Sequence, residues 1–238
     1  MILRRMADGI RTQNWFTVFI ELLIVVFGVY IGIYIGEFQS QQEHTKKTNQ
    51  ALMALEDELR SDLSRVNEVI AIQSERFKNR ADLIDAFGGD TINSELVGEL
   101  LENIFKGNDT FYPNLSGYEA MKTAGFLSSL PDQSLRLHLS RLFERELFRQ
   151  SENALLYDQM VDDISIHLIA PNFDRVDKKI LTNNADSRLI LRSAIFNIGD
   201  AGNFYLSFLK NQIKPDIERA LEMIDAYQGE TQKTLQIS

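Results

Sequence analysis

Residues 15–36 read WFTVFIELLIVVFGVYIGIYIG and decide the fold, because this long apolar stretch contains a single charged side chain, Glu21. About 20 apolar residues in helical form cross the hydrocarbon core of a bilayer. Trp15 lies at one end, and Tyr30 and Tyr34 lie toward the other, where interfacial aromatic side chains are expected. The run is too long for the core of a cleaved signal peptide, and buried helices of soluble proteins rarely stay apolar on every face. The sequence therefore predicts a transmembrane helix over residues 15–36.

The basic residues around this stretch predict its orientation. Arg4, Arg5 and Arg11 precede it, whereas the first lysine after it is Lys46. Basic residues that flank a transmembrane helix concentrate on its cytoplasmic side. We therefore expect residues 1–14 to be a cytoplasmic segment. The C-terminal domain would then be exported to the other side of the membrane.

One face of the predicted anchor carries small residues. Gly28, Gly32 and Gly36 recur every four residues, a spacing that lets two helix backbones approach closely in lipid. Glu21 precedes Gly28 by seven residues and falls on the same face at 100° per residue. We predict an association face for a second copy of the chain or for another membrane protein. The alternative is that glycine is simply common in membrane helices, and for Glu21 that it is a tolerated shallow carboxylate.

The part after the anchor is predicted to be helical throughout. A polar linker or helix covers residues 37–51, a helical bundle covers 52–228, and a flexible tail covers 229–238. Within the bundle, apolar side chains at spacings of three, four or seven predict a long amphipathic helix that ends at Gly88, with Gln73 breaking the stripe. The stripe consists of Leu52, Leu55, Leu59, Leu63, Val66, Ile70, Phe77, Ala81, Ile84 and Phe87. Its repeat near 3.5 residues leaves two interpretations open, an intermolecular coiled coil or packing within its own bundle.

Capping and turn residues divide the rest of the bundle. Further helices are predicted over 94–105, 117–123, 131–169, 174–182 and 187–198. Ser94 and Ser116 are the predicted N-caps of the first two. Gly199 and Gly202 are expected to precede a last helix that ends near Tyr227. The predicted fold class is all-α: one N-terminal transmembrane helix, a long amphipathic helix and an irregular helical bundle.

Composition excludes several functional classes. The chain contains no cysteine, so disulfides, thiol catalysis and zinc–thiolate sites are ruled out. The net charge is −9, and the charged residues of 1–37 sum to zero, so the whole excess lies after the anchor. Nucleic-acid binding needs a basic face, and the acidic domain therefore predicts no nucleic-acid partner.

The patterns of catalytic and metal-binding residue types predict no enzyme, no cofactor and no metal site. His44, His138 and His167 have no partner at the spacing of a metal-binding pair on one helix face. No phosphate-binding glycine loop and no nucleophile elbow occurs. The aspartates expected on solvated faces are Asp57, Asp62, Asp162 and Asp163.

The most unusual stretch after the anchor is a corner formed by Tyr112, Pro113, Tyr118, Gly125 and Phe126. Aromatic residues beside proline and glycine between helices suit a pocket for a ligand or partner. They equally suit a corner where the bundle reverses. Both interpretations stay open from the sequence.

Two stretches carry a family resemblance. The first is the anchor NWFTVFIELLIVVFGVYIGIYIGEF, followed by a helix that starts QALMALEDELRSDL. The second is YEAMKTAGFL at residues 118–127, before Leu135 and Leu139. They resemble a large, uncharacterised group of bacterial single-pass membrane proteins. That group combines a glutamate-containing anchor, an E-L-x-x-D-L helix and a Y-x-x-L-x-x-S-G-x-L turn before L-R-x-x-L, with Met121 and Ala124 replacing the leucine and serine of the turn here. The resemblance implies a bacterial membrane protein with a helical domain and supplies no activity.

These observations predict a membrane-anchored interaction protein, acting as a scaffold, accessory subunit or sensor. Its expected partners are the lipid bilayer and either a second copy or another membrane protein, bound through the glycine face. The alternative from a different class is an ion- or proton-coupled membrane component that uses Glu21.

Overall fold

A computed structural model describes residues 15–88, 93–105, 107–174, 176–181 and 185–237. The predicted cytoplasmic segment 1–14 lies outside the described residues. Helices dominate the described part of the chain, which contains one two-stranded hairpin, so the all-α prediction is confirmed. The chain divides into two compact units, residues 1–50 and residues 51–238.

Helix α1 spans Trp15–Gly88 and is 74 residues long. The first proline of the chain is Pro113, so no residue of α1 lacks its backbone N–H. The polar segment 37–51 is therefore helical rather than a loop. Within it, the Thr45 hydroxyl donates to the Gln41 carbonyl at 2.9 Å, a bond that returns to the preceding turn.

The unit of residues 1–50 contains an apolar part of α1 whose side chains are exposed. Of the described residues, α1 alone is long and apolar enough to cross a membrane. Its most apolar 18-residue window has a mean hydropathy of 2.5, and none of that window is buried. A bilayer core needs about 20 helical residues, so only part of this 74-residue helix would lie in lipid.

In the unit of residues 51–238, the buried side of α1 follows a strict alternation of three- and four-residue steps. The buried positions are Leu52, Leu55, Leu59, Asp62, Val66, Val69, Gln73, Arg76, Arg80, Leu83 and Phe87. The predicted stripe is buried at Leu52, Leu55, Leu59, Val66 and Phe87. It is wrong at Phe77 and Ala81, which are exposed, whereas Arg76 and Arg80 are buried. The apolar spacing misled there because the buried partners of α1 are polar groups.

Helix α2 covers Ser94–Phe105, as predicted, but its cap differs. The Asn93 side-chain oxygen accepts from the backbone N–H groups of Glu95 and Leu96, both at 3.2 Å, so Asn93 is the N-cap rather than Ser94. An asparagine before the first helical residue satisfies the free N–H groups of the first turn.

Two short helices follow the loop after α2. Helix α3 covers Ser116–Thr123, and the single turn α4 covers Phe126–Ser129. Ser116 is the first residue of α3 rather than its N-cap. The Gly117 N–H donates instead to the Glu58 carboxylate of α1 at 2.9 Å, so α1 satisfies the start of α3.

The helix predicted over 131–169 is a continuous helix that contains two π-helical segments. Helix α5 covers Gln133–Arg141 and begins after Asp132, whose carboxylate accepts from the N–H groups of Ser134 and Leu135. A π-helical segment at Leu142–Leu147 leads into α6, Phe148–Ile164, and a second one covers Ser165–Ile169. Each π turn accommodates extra backbone within a helix, which hydrophobic spacing does not report.

Two short paired strands occur where the sequence predicts a helix over 174–182, so that prediction is wrong. Strand β1, Phe173–Asp174, pairs antiparallel with β2, Lys179–Ile180. The Asp174 carboxylate accepts from the Val176 N–H at 2.8 Å and closes the turn locally.

The last helices run through residues that the sequence suggests as breaks. Helix α7 covers Ala185–Phe208 and contains both Gly199 and Gly202 without interruption. A π-helical segment, Leu209–Ile213, precedes helix α8, Lys214–Ile237. The predicted helix end near Tyr227 is therefore wrong, and the backbone of the predicted tail is helical as far as Ile237.

The core of this unit lies where α1, α5, α6, α7 and α8 meet. Its largest fully buried side chains include Tyr118, Tyr205 and Phe111, together with leucines of the α1 seam. Burying these aromatic and aliphatic groups supplies the main stabilisation, about 1.5–3 kcal/mol for each large side chain. Tyr205 and Phe111 lie in a part of the core that also contains polar groups.

Candidate functional site

The predicted association face lies on the apolar part of α1. Glu21, Gly28, Gly32 and Gly36 are all exposed. A methyl group added at any of the three glycines would meet no atom within 4 Å. The single chain therefore leaves this face open, and its use for association stays a prediction.

The predicted corner is divided between two places. The buried Tyr118 ring stacks on Phe143, with ring centroids 4.5 Å apart, and its hydroxyl donates to Glu144 at 2.9 Å. Gly125 ends α3 with φ of 75°, a conformation that favours glycine, and the partly buried Phe126 begins α4. These residues build the turn from α3 to α4.

Tyr112 contributes to a different contact. Its ring is half exposed, and its hydroxyl donates to the Asp158 carboxylate of α6 at 2.7 Å. Desolvation and this carboxylate raise the pKa of Tyr112 to about 12. The phenol therefore stays protonated at neutral pH and acts as a donor.

The acidic residues of the E-L-x-x-D-L motif hold the start of this corner. Glu58 accepts from the Gly117 N–H, and Asp62, four residues later on α1, accepts from the Asn114 N–H at 3.1 Å. Asp62 is buried, so the solvated position predicted for it is wrong. Burial raises the pKa of Asp62 to about 6, against the opposing effect of its backbone hydrogen bond. The E-L-x-x-D-L motif thus bonds residues 114–117, which directly precede the second motif at 118–127.

A polar interior lies beside the corner, beneath the loop of residues 107–114. Gln73, the residue that interrupts the apolar stripe, donates through Nε2 to the carbonyls of Asn108 at 2.9 Å and Asp109 at 3.0 Å. Arg76 donates to the same Asn108 carbonyl at 3.0 Å and forms an ion pair with the Asp109 carboxylate. Asp109 has a positive φ of 45°, which this set of bonds holds in place.

The middle of the loop is bonded from two other helices. The buried Phe111 N–H donates to the Tyr205 hydroxyl of α7 at 2.7 Å. Gln150 of α6 donates to the Phe111 carbonyl and to the same hydroxyl, both at 3.1 Å. Burial raises the pKa of Tyr205, so its hydroxyl stays neutral. Thr110 adds a bond to Asp158 at 2.9 Å.

This arrangement positions a loop. Side chains from α1, α6 and α7 bond the backbone of residues 108–111, so the three helices and the loop form one hydrogen-bonded unit. The sequence gives one signal of it, the glutamine within the apolar stripe. Tyr205 and Gln150 carry no such signal, because their positions suit an ordinary amphipathic helix.

The histidines lie apart from this interior. His138 Nε2 is 3.0 Å from the Asp216 carbonyl, and the exposed His167 lies 3.5 Å from Asp163. Among the residues that the structure describes, no group of three or more histidine, aspartate or glutamate side chains could hold a metal ion.

Comparison with known sequences settles the family. A family of unknown function, DUF6090, matches residues 21–188. The chain belongs to this family. The DUF6090 match covers both motifs of the corner and the loop of residues 107–114. No curated protein and no solved structure matches the chain. The expected membership of an uncharacterised family is therefore confirmed.

Proposed function

We propose that this DUF6090 protein is a membrane-anchored interaction protein, acting as a scaffold, accessory subunit or sensor in a bacterial inner membrane. Residues 15–36 form its transmembrane helix. The observation that carries the proposal is the run of exposed apolar side chains on α1, in a window with a mean hydropathy of 2.5 and no buried residue.

The exposed apolar side chains of α1 need to be covered by lipid or by protein. Val25, Val26 and Phe27 are each more than half exposed, and as successive residues they point about 100° apart around the helix. Contiguous apolar surface of this extent is rare on soluble monomers and marks contact with lipid or protein. A helix satisfies its own backbone hydrogen bonds, which is the requirement for crossing a bilayer. Lipid covers all faces at once, whereas a single partner helix covers only one.

The orientation follows from the flanking charges. The arginines before the anchor favour a cytoplasmic N-terminus, so the unit of residues 51–238 faces the periplasm. The loop of residues 107–114 and the exposed apolar side chains of that unit would then contact periplasmic partners. The glycine face supports association within the membrane, with a second copy or with another membrane protein.

A topology experiment on the full chain tests the proposal. A periplasm-active reporter and a cytoplasm-active reporter are each fused after Ser238, and membranes are washed with alkaline carbonate. We expect the protein to stay in the washed membranes and only the periplasm-active reporter to work. As a matched control, Arg4, Arg5 and Arg11 are changed to glutamine, which should reduce the periplasm-active signal. Release of the unaltered protein by carbonate would refute the anchor, and activity of only the cytoplasmic reporter would refute the orientation.

A further inference from the structure

A small cavity of about 230 Å³ lies between α1 and α7, in the unit of residues 51–238. Its walls are mostly apolar and include Phe77, Ile84 and Phe196. Two charged side chains also line it, Arg80 and Asp200. The cavity is thus an apolar space with a cation at one wall.

Arg80 is a buried charge without a carboxylate partner. Its side chain is 2% exposed, and its Nη2 donates to the Tyr157 hydroxyl at 2.6 Å. Its Nε has no acceptor, and within the described ranges no carboxylate lies within 4.0 Å of it. Arginine keeps its charge in proteins, and a buried charge is costly unless it is paired. The guanidinium therefore favours an anion that the chain itself does not supply.

The glycines of α7 make the space for this side chain. A methyl group at Gly202 would lie 2.5 Å from Arg80 Nη1 and 3.2 Å from the Tyr157 hydroxyl. At Gly199 it would lie 3.8 Å from Arg80 Cδ. Gly202, which looks like a helix break in the sequence, thus lets a guanidinium lie against a helix backbone.

We propose that this cavity binds a small carboxylate with an apolar body, its carboxylate at Arg80 and its body against Phe77, Ile84 and Phe196. A volume of 230 Å³ corresponds to about eight waters at roughly 30 Å³ each, which is below the range of drug-sized pockets. The ligand class is therefore limited to about eight to ten non-hydrogen atoms. Asp200 opposes a simple anion and would favour an amino group on the same ligand.

The bound carboxylate would act on the loop through a short chain of hydrogen bonds. Tyr157 accepts from Arg80 and donates to Gln73 Oε1 at 3.3 Å. Gln73 in turn donates to the carbonyls of Asn108 and Asp109. The site deepens the sensor form of the proposed function. It uses residues of 51–238 alone, so a failure of ligand binding and a failure of membrane insertion are separate results.

The test is a titration of the full chain in phosphatidylcholine nanodiscs. Sodium hexanoate labelled with ¹³C at the carboxylate is followed by NMR line broadening, with empty nanodiscs as the blank. Norleucine, which is hexanoate with an α-amino group, and hexylamine, which lacks the carboxylate, are titrated by calorimetry beside hexanoate. The variants are Arg80→Gln, Ala81→Phe at the cavity wall, and Ala71→Phe as the matched control at an exposed position of the same helix.

We expect saturable binding of one hexanoate or norleucine per chain, and at least tenfold weaker binding of hexylamine. Arg80→Gln should weaken carboxylate binding about tenfold or more, because a hydrogen bond to a charged group is lost. Ala81→Phe should abolish it, and Ala71→Phe should leave it unchanged, with circular dichroism showing both variants folded. If Arg80→Gln fails to fold, Ala81→Phe decides. Absence of saturable binding, equal binding of hexylamine, or full binding to Ala81→Phe would overturn the proposal.

Discussion

Removing the hydroxyl of Tyr205 should destabilise the domain far more than removing that of Tyr112. In Tyr205→Phe, the N–H of Phe111, a residue with no exposed surface, loses its acceptor. Gln150 Nε2 retains the Phe111 carbonyl as one acceptor, but its second N–H also loses the Tyr205 hydroxyl. Leaving a buried donor unsatisfied costs about 1–3 kcal/mol. The stacking of Tyr205 on Tyr157, with centroids 5.1 Å apart, is kept by phenylalanine.

Tyr112→Phe is the matched control, since it removes the same atom at the other side of the same loop. Tyr112 is half exposed, and Asp158 keeps its bond from Thr110, so the expected cost is within about 0.5 kcal/mol. For a domain of this size, 1 kcal/mol corresponds to about 2–4 °C in Tm. Tyr205→Phe should therefore lower Tm by about 4–8 °C if the cost is near 2 kcal/mol, and Tyr112→Phe by less than about 2 °C.

The measurement is thermal unfolding of the full chain, followed by far-UV circular dichroism at one fixed scan rate. Urea titration at 25 °C gives the free energy of unfolding independently. Equal losses in the two variants, or a Tyr205→Phe loss within about 0.5 kcal/mol, would show that the loop is not held through the Phe111 N–H.

Two further predictions concern Asp62 and the anchor. The raised pKa of Asp62, about 6, means that the folded state holds this proton more tightly than the unfolded state. Its contribution to stability is present below about pH 4 and is lost as pH rises through 6. Asp62→Asn should therefore raise the free energy of unfolding at pH 7.5 by up to about 1 kcal/mol after solvent screening, with a higher Tm, and flatten the Tm profile between pH 4 and 7. Asp57→Asn, at an exposed position of α1, should change neither, and an unaltered profile in Asp62→Asn would rule out this linkage. In the membrane, Gly32→Ile should weaken self-association in a transmembrane reporter assay because it separates the helix backbones, whereas Val29→Leu should not, and Glu21→Gln should have the smaller effect expected of one polar contact, about 0.6 kcal/mol. Equal signals from all three would mean that the glycines do not mediate contact.

Hydrophobic spacing and capping residues predict those helices whose ends depend only on adjacent residues. The bounds of α2 and the end of α1 at Gly88 agree with the signals of the adjacent residues. The early part of the α1 seam is predicted for the same reason. Its leucines face apolar partners, so burial follows spacing.

The predictions fail where a partner distant in sequence determines whether a residue is buried or a helix continues. Gly199 and Gly202 suggest a break, yet they lie inside α7 because Arg80 of α1 occupies the space beside them. Arg76 and Arg80 lie outside the predicted stripe, yet they are buried, and the carbonyl of Asn108 and the hydroxyl of Tyr157 accept from them. Single-sequence patterns contain no information about such partners.

The candidate site is predicted only in part. Tyr118 and Gly125 are identified by their unusual neighbourhood, and Gln73 is visible as an interruption of a stripe. Its meaning depends on the loop of residues 107–114, whose backbone carbonyls need donors once they are buried. The sequence of the loop does not reveal which helix supplies them.

The polar side chains buried on α1 also fix the register of this helix against its neighbours. A displacement of α1 by seven residues would keep every buried position buried, so shape alone would tolerate the error. It would, however, bring Arg76 to the place of Val69 and leave its guanidinium without the Asn108 carbonyl. An unpaired buried charge costs about 3–5 kcal/mol, which is a large share of the stability of a domain. The misaligned bundle would thus be disfavoured, so the buried polar side chains select one register of α1 among those that apolar packing alone would accept.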